Sequence, residues 1–220
     1  MNAVEINPAG KVRASVIWLH GLGADGHDFE GLIPELGLTE RGVRVVLPHA
    51  DVRPMTLNGG AVMRAWYDLY GLDSNAVEDI EGIRASSRQL VEWIDNERER
   101  FDLSAEQVVV AGFSQGGALA LHAGLGYAES LAGILALSTY LPDAEGIAVE
   151  GLKKNINVPL LMAHGMHDDV ILVDIARQVR QYLKSLGYAV EWKEYDMAHA
   201  VSLAEIMDIR NWFNKVLQLI

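Results

Sequence analysis

The sequence contains no cysteine, which excludes disulfide bonds, zinc–thiolate centres and a cysteine nucleophile. Basic residues are also scarce: 18 Lys and Arg stand against 30 Asp and Glu, for a formal net charge of −12. A nucleic-acid-binding protein needs cationic side chains to displace counterions from phosphates, and docking on an anionic membrane surface needs them too. The composition therefore disfavours both kinds of partner.

The sequence also lacks a leader-like N-terminus and a membrane-spanning stretch. Glu5 lies where a signal peptide would carry basic residues before an apolar run. The uncharged segment 107–128 is interrupted by Ser114, Gln115, His122 and several glycines, whereas a spanning helix needs about 20 mainly apolar residues. We therefore expect a cytoplasmic protein without stable membrane insertion.

What the chain does contain is a regular alternation of apolar runs and amphipathic segments. Its 220 residues, half of them hydrophobic, predict a single domain over 1–220, and no repeat, low-complexity tract or linker divides them. Continuous apolar runs predict strands of a parallel sheet covered on both faces, at 16–19, 43–47, 108–110, 134–137, 160–162 and 190–195. Helical periodicity predicts helices at 29–36, 80–94, 175–186 and 202–217, the last beginning with a Ser202–Glu205 capping box. This order predicts an α/β fold.

The segment 51–79 interrupts the alternation. It has no clear period, yet it contains several large apolar side chains. Long segments of this kind are usually functional or form a packed lobe. We therefore expect a lobe here, and this apolar surface leaves a homodimer contact open.

The main chemical motif is G-x-S-x-G at 112–116. It follows the strand at 108–110 and precedes the apolar helix start at 118–121, so Ser114 lies on a strand-to-helix turn. A nucleophile elbow has this setting, because a serine in a tight turn needs very small residues two positions away on each side. The alternative is a tight connection with an incidental serine.

A nucleophilic serine needs a general base, and the base needs a carboxylate that orients it. After an elbow of this kind, the acid and then the histidine follow the serine in the sequence. His199 lies in the loop between the last predicted strand and the last helix, and Asp168 follows the strand at 160–162. The sequence therefore predicts Ser114, Asp168 and His199 as the catalytic residues, with Asp169 as a solvated neighbour.

Other histidines offer an alternative. His164, His167 and Asp168 include ligand types that metals use, but no cysteine is available and the spacing matches no metal signature. His122 falls inside the helix after the elbow, where packing explains it. We therefore expect no metal and no cofactor.

An elbow serine also needs two backbone N–H donors for the negative charge on the substrate oxygen. Gln115 supplies the first by its position after Ser114. The turn after the strand at 16–19 supplies the second, for which we choose Leu22. His20 in the same turn is either a second base or, as we favour, a histidine bonded to the loop backbone.

With these residues assembled, the sequence resembles the phospholipase/carboxylesterase family of α/β-hydrolases, which includes small bacterial carboxylesterases and acyl-protein thioesterases. The similar stretches run in order along nearly the whole chain: LHGLGADGHDF at 19–29, MRAWYDL at 63–69, AGFSQGGALAL at 111–121, HGMHDDV at 164–170 and EYDMAHAVSLAEIMDIRNW at 194–212. Gln115 and the Asp168–Asp169 pair look most like the small bacterial carboxylesterases.

The resemblance implies the α/β-hydrolase fold without a large cap domain, the Ser114, Asp168, His199 triad and backbone donors at Leu22 and Gln115. It also implies that segment 51–79 helps to wall an acyl pocket, which we expect to include Leu57, Met63, Trp66, Leu69 and Leu72.

We therefore expect a serine carboxylesterase that acts on small-molecule esters with short to medium acyl chains. An acyl-protein thioesterase or lysophospholipase would use the same triad, a non-catalytic hydrolase-like binding protein would keep the fold alone, and a metal-dependent hydrolase is the remaining alternative. The sequence departs from the family pattern at Ala198 and Ala200, beside the histidine, and at Ile171–Leu172 after the acid loop. These departures bear on substrate choice.

Overall fold

The computed structural model describes residues 2–71, 77–150 and 155–219. Its strands are β1 (Ala3–Ile6), β2 (Ala14–Leu19), β3 (Val43–Pro48), β4 (Val52–Met55), β5 (Ala61–Arg64), β6 (Val108–Phe113), β7 (Gly133–Leu137), β8 (Leu160–Gly165) and β9 (Val190–Tyr195). Its α-helices are α1 (Ile33–Leu36), α2 (Ile80–Phe101), α3 (Gln115–Gly126), α4 (Ala144–Glu150), α5 (Val173–Ser185) and α6 (Leu203–Val216).

Seven strands form the central sheet in the order β1-β3-β2-β6-β7-β8-β9. The pairing of β1 with β3 is antiparallel, and the other pairs of this sheet are parallel. One apolar core packs α2, α3 and α5 on one face of the sheet, and a second core packs α1 and α6 on the other. The predicted α/β fold with a mostly parallel sheet is therefore confirmed.

The six strands expected from apolar runs are all present, but three short strands were not predicted. β1 has four residues at the sheet edge, and β4 and β5 form a separate antiparallel hairpin within segment 51–79. The hairpin escaped prediction because half of its eight residues are exposed, among them Val52 and Val62. A strand that buries neither face carries no apolar run.

The helices follow their periodicity with two differences. The pattern at 29–36 forms a 3-10 turn followed by α1, which has four residues and ends at Gly37, where φ is 62°. The short helix α4 was not predicted. The Ser202–Glu205 capping box is confirmed, because each side chain bonds the backbone of the other. Burial raises the pKa of Glu205 to about 7.

The parallel strands β2, β6, β8 and β9 end at one edge of the sheet. Ligand sites of parallel sheets lie at this carboxyl edge, because loops from several strands converge there. Within the three described ranges, no helix combines the length and apolar character needed to cross a bilayer.

Candidate active site

Ser114 occupies the sharp turn between β6 and α3. Its φ of 54° lies in a region that L-residues rarely adopt. Gly112 and Gly116 make the turn possible: a Cβ on Gly112 would overlap the carbonyl of Gly116, and a Cβ on Gly116 would overlap the carbonyls of Leu19 and His20. The two glycines therefore let the strand, the helix and the end of β2 meet closely.

The next strand of the sheet fixes the backbone of Ser114. The Ser114 N–H donates to the carbonyl of Leu137 at 2.9 Å, and the hydroxyl of Thr139 donates to the Ser114 carbonyl at 2.7 Å. Thr139 is buried and was not singled out from the sequence, because a lone Thr after an apolar run forms no motif. Such contacts hold a strained backbone in place.

Three side chains from the ends of β6, β8 and β9 form one hydrogen-bonded row. His199 Nε2 lies 3.0 Å from Ser114 Oγ, and His199 Nδ1 lies 2.7 Å from Asp168 Oδ2. The Asp168 side chain is fully buried, whereas that of His199 is 16% exposed. The structure thus brings together a hydroxyl, an imidazole and a carboxylate in the order that activates a nucleophile.

Neutral groups orient the carboxylate of Asp168. Its Oδ1 accepts the N–H groups of Val170 at 2.9 Å and Ile171 at 2.8 Å. His164 Nε2 lies 3.3 Å from Asp168 Oδ2 and donates to the Ile171 carbonyl at 2.7 Å. Burial lowers the pKa of His164, which favours its neutral form. The same Oδ2 atom of Asp168 is the one that bonds His199 Nδ1.

The loops that follow β8 and β9 pack backbone against backbone. The N–H of His167 donates to the carbonyl of Met197 at 3.0 Å. A Cβ on Gly165 would overlap the carbonyls of Met197 and Ala198. The glycine therefore lets the Asp168 loop approach the His199 loop closely enough for their side chains to bond.

The histidines of the metal alternative lie apart. His164 is buried, whereas the ring of His167 is 67% exposed and its Nε2 lies 2.7 Å from Asp196 Oδ1 at the surface. In the part of the chain that the structure describes, no three His, Asp or Glu side chains are grouped so that they could hold a metal ion. His164, His167 and Asp168 do not form one ligand set.

Leu22 and Gln115 are the predicted backbone donors for the substrate oxygen. Both residues line the cavity into which Ser114 opens. Gln115 is the first residue of α3, where an N–H has no acceptor one turn earlier. The N–H of Leu22 makes no hydrogen bond with any described residue. The two N–H groups are therefore candidates for the oxyanion contacts that the sequence predicts.

The backbone uses both ring nitrogens of His20. Nδ1–H donates to the Gly21 carbonyl at 2.7 Å, and Nε2 accepts the N–H of Ala50 at 3.0 Å. Burial lowers the pKa of His20 and keeps the ring neutral. The His20 ring therefore bonds the loop backbone, which is the interpretation that the sequence favours.

Ser114 opens into a cavity of about 300 Å³. Leu57 and Leu69 of segment 51–79 line it, as the sequence predicts. Val170, Ile171 and Tyr140 also line it and were missed. The sequence carried a signal for Val170 and Ile171, because apolar residues directly after a predicted catalytic acid lie beside the reacting groups.

The other predicted pocket residues lie elsewhere or cannot be placed. Trp66 is 3% exposed and does not line the cavity, because its indole packs inward and donates to the His20 carbonyl at 2.9 Å. Met63 packs beside Gly23 and is also not a lining residue. This corrects the prediction for both side chains: large apolar residues mark a packed interior as readily as a ligand wall. Leu72 lies outside the described residues.

A second cavity of about 440 Å³ adjoins the first, and Leu69, Tyr140 and Ile171 line both. The hydroxyl of Tyr140 lies 2.8 Å from that of Tyr67, and burial raises the pKa of Tyr140 to about 12, so the pair is neutral. The rest of its wall combines aliphatic side chains with carboxylates, among them Ile83, Ile175, Val179, Glu78 and Asp143.

The family described as phospholipase/carboxylesterase matches residues 1–217. The chain belongs to this family. The predicted resemblance is confirmed, and the protein is a hydrolase of the phospholipase/carboxylesterase family.

Two of the relatives of this chain are fungal proteins. This chain is 36% identical to acyl-protein thioesterase 1 of Neurospora crassa, and the match covers 92% of this chain and 86% of the relative. It is 35% identical to acyl-protein thioesterase 1 of Yarrowia lipolytica, over 97% of this chain and 96% of the relative.

Solved structures of similar proteins share the same fold. SOBER1 of Arabidopsis thaliana matches with a TM-score of 0.88 and 29% identity, over 93% of this chain and 99% of that one. Acyl-protein thioesterase 2 of Zea mays matches with a TM-score of 0.84 and 28% identity, over 98% of this chain and 99% of that one. These matches extend the family assignment to the three-dimensional fold.

Proposed function

We propose that this protein is a serine carboxylesterase that hydrolyses esters with short to medium acyl chains through an acyl-enzyme. The observation that carries the proposal is the continuous row Ser114 Oγ, His199, Asp168 at the edge of an apolar cavity. Leu22 and Gln115, which would supply the two backbone N–H donors, line the same cavity.

In the acylation step, Ser114 Oγ attacks the ester carbonyl carbon and its proton passes to His199 Nε2. The carbonyl oxygen takes the negative charge and accepts hydrogen bonds from the N–H groups of Leu22 and Gln115. Asp168 holds the proton on Nδ1 of His199 and stabilises the imidazolium. The intermediate then expels the alcohol, which leaves with the proton from Nε2.

Deacylation repeats the sequence with water. His199 Nε2 takes a proton from the water as its oxygen attacks the acyl carbon, and the same two N–H groups hold the new oxyanion. When the intermediate breaks down, Ser114 Oγ leaves the acyl carbon and recovers its proton from His199. The products are a carboxylic acid and the free enzyme.

The cavity supports the choice of substrate class. Its volume of about 300 Å³ is at the lower end of the range of about 300–1,000 Å³ that is usual for small-molecule sites. Leu57, Leu69, Val170 and Ile171 offer the acyl chain an apolar wall. A short or medium chain fits this volume, and the adjoining cavity lies beyond Tyr140.

Thioester hydrolysis is the second candidate. The relatives from Neurospora crassa and Yarrowia lipolytica bear the name acyl-protein thioesterase 1. The same nucleophile, base and N–H donors would act on a thioester, because the thiol simply replaces the alcohol as the leaving group. A longer acyl chain would then have to extend past Leu69, Tyr140 and Ile171 into the second cavity.

The test is a series of p-nitrophenyl esters graded by acyl length, run beside acyl thioesters on the wild type and on Ser114→Ala. We expect an optimum at two to six acyl carbons and a loss of kcat of roughly 10³–10⁶-fold in Ser114→Ala. A preference for long acyl thioesters would favour the second candidate. Near-wild-type hydrolysis by Ser114→Ala would exclude the serine mechanism.

A fluorophosphonate and EDTA separate the remaining alternatives. We expect the fluorophosphonate to modify Ser114 and abolish activity, and EDTA to leave activity unchanged, because no metal takes part in the proposed steps. Activity that EDTA removes and the fluorophosphonate spares would indicate a metal-dependent hydrolase. A protein that hydrolyses neither esters nor thioesters would be a binding protein with the hydrolase fold.

A further inference from the structure

The segment 64–67 bonds to both sides of the proposed oxyanion site. It connects β5 to the start of the loop before α2, and its residues 65–67 are buried. From the sequence, segment 51–79 is expected to help wall the acyl pocket, and Trp66 is one of the residues expected to line it. The hydrogen bonds of segment 64–67 instead run to the two turns that carry the N–H donors, which gives it a different part in the reaction.

The side chain of Gln115 makes the first connection. Its Oε1 accepts the N–H of Trp66 at 3.0 Å, and its Nε2 donates to the carbonyl of Tyr67 at 2.8 Å. The residue is 2% exposed, so this pair of bonds is shielded from water. The amide thus fixes Gln115, whose backbone N–H is one of the two proposed donors, to the backbone of segment 64–67.

The second connection encloses Leu22. The indole N–H of Trp66 donates to the carbonyl of His20 at 2.9 Å, two residues before Leu22. The N–H of Gly23 donates to the carbonyl of Arg64 at 2.9 Å, one residue after it. The backbone on each side of Leu22 is therefore bonded to the same short segment that holds Gln115.

Segment 64–67 is itself bonded to α2 and to the turn between β3 and β4. The hydroxyl of Ser86, on α2, donates to the carbonyl of Trp66, and the N–H of Ala65 donates to the carbonyl of Asp51 at 3.1 Å. The His20 and Trp66 rings also pack together, with centroids 5.1 Å apart. The segment can therefore transmit a fixed position to both donors.

We propose that the side chains of Trp66 and Gln115 are positioning residues, which set the spacing of the Leu22 and Gln115 N–H groups through segment 64–67. The inference rests on the proposed function, because it assigns those N–H groups to the oxyanion. Neither side chain needs to touch the substrate. Donors that are fixed before the reaction stabilise the developing charge without reorganising, and a misplacement of about 1 Å can cost about 100-fold in rate.

The test uses two variants that remove these bonds and keep the bulk. Trp66→Phe removes the indole donor, and Gln115→Met removes both amide bonds while leaving the backbone N–H. Trp18→Phe is the matched control, because Trp18 is 1% exposed and its indole N–H has no hydrogen-bond partner among the described residues. Each variant is assayed with a short p-nitrophenyl ester well below its melting temperature.

The second readout is inhibition by a trifluoromethyl ketone. Ser114 Oγ adds to its carbonyl carbon, the proton passes to His199, and the resulting oxyanion occupies the place of the transition-state charge. We expect kcat to fall about 10- to 100-fold in Trp66→Phe and Gln115→Met with KM nearly unchanged, and the inhibition constant of the ketone to rise in the same proportion. Trp18→Phe should keep the kcat and the inhibition constant of the wild type.

Two results would overturn the inference. One is a wild-type kcat in Trp66→Phe and Gln115→Met while Ser114→Ala is inactive, which would leave the proposed function intact. The other is a loss confined to KM or to the melting temperature with an unchanged inhibition constant, since packing alone would account for it. Activity that survives in Ser114→Ala would instead remove the proposed function, and the inference with it.

Discussion

The two sides of Ser114 are built from different kinds of groups. On the histidine side, meaning residues 164–171 and 196–205, the ionisable side chains of His164 and His199 both lie within 3.3 Å of the buried carboxylate of Asp168, and the buried Glu205 follows at the start of α6. On the oxyanion side, meaning residues 20–23 and 64–67 with Gln115, the bonds join backbone groups, an indole, an amide and a histidine that burial keeps neutral.

This difference separates two tasks. The histidine side must take up and return a proton, so it needs groups whose charge can change. The oxyanion side must stay fixed while charge appears on the substrate, and neutral hydrogen bonds do not change with pH in the working range. Changes on the histidine side should therefore alter rate and pH dependence, whereas changes on the oxyanion side should alter rate alone.

The largest effect should come from Asp168→Asn. The amide can donate a hydrogen bond to Nδ1 of His199, which would place the imidazole proton on the nitrogen that must accept it from Ser114. We expect kcat to fall about 10⁴-fold with the fold retained. Steady-state kinetics on Asp168→Asn and on the exposed neighbour Asp169→Asn test this. Equal losses in both would show that the wrong acid was chosen.

The next largest effect should come from Gly165→Ala, which we expect to lower the stability of the fold. Its Cβ would overlap the carbonyls of Met197 and Ala198, so the two loops of the histidine side must separate. We expect the free energy of unfolding to fall by about 3 kcal/mol. On the oxyanion side, a Cβ on Gly21 meets Ser114 Cβ at 3.4 Å, an ordinary contact, so Gly21→Ala should cost less than about 1 kcal/mol.

Chemical denaturation of both glycine variants measures this contrast. Gly126→Ala, at the end of α3, is the control, because nothing lies within 4 Å of a Cβ there. If Gly165→Ala were as stable as Gly126→Ala, the close packing of the two loops would not matter.

A smaller, pH-dependent effect should come from Glu205→Gln. Burial raises the pKa of Glu205 to about 7 in the folded protein, whereas an unfolded chain keeps it near 4.5. The folded state therefore binds the proton more tightly, and this carboxyl lowers the stability as the pH rises from 4.5 through 7. Glutamine is uncharged and is also accepted at this position of a capping box.

We expect Glu205→Gln to be more stable than the wild type by about 2 kcal/mol at pH 6 and to match it near pH 3.5. Denaturation curves at several pH values measure the difference. A difference that stays constant with pH would mean that Glu205 is not the group responsible.

The smallest effect should come from Ser86→Ala, which removes a bond from α2 to segment 64–67 of the oxyanion side. The lost hydroxyl leaves the carbonyl of Trp66 without its donor from α2, which should cost about 1 kcal/mol of stability and a modest fraction of kcat. Because no ionisable group takes part, the ratio of the two kcat values should stay constant between pH 6 and 9. A ratio that changes with pH would break the distinction between the two sides.

The sequence predicted the parts of the molecule whose physics is local. The parallel strands appear as apolar runs, and the Ser114 turn is recognisable because the close approach of strand and helix admits only glycine at 112 and 116. Asp168 and His199 were found from their order after the serine, and the structure places all three side chains in hydrogen-bonding range.

The sequence failed where a contact depends on distant backbone. Trp66 was assigned to the pocket because an apolar side chain in an irregular segment looks the same whether it faces a ligand or the carbonyl of His20. The side chain of Gln115 was given no part, since its partners lie 48 and 49 positions away. Thr139 and Tyr140 were missed for the same reason.

The backbone of Ser114 has a consequence for how this enzyme could be improved. A non-glycine residue held at a φ of 54° stores strain, which at such positions costs about 1–3 kcal/mol. A glycine at 114 would relieve that strain and remove the nucleophile in one step. Heat resistance and turnover therefore oppose each other at this residue, and selection for thermal tolerance alone would favour inactive variants unless activity is screened alongside.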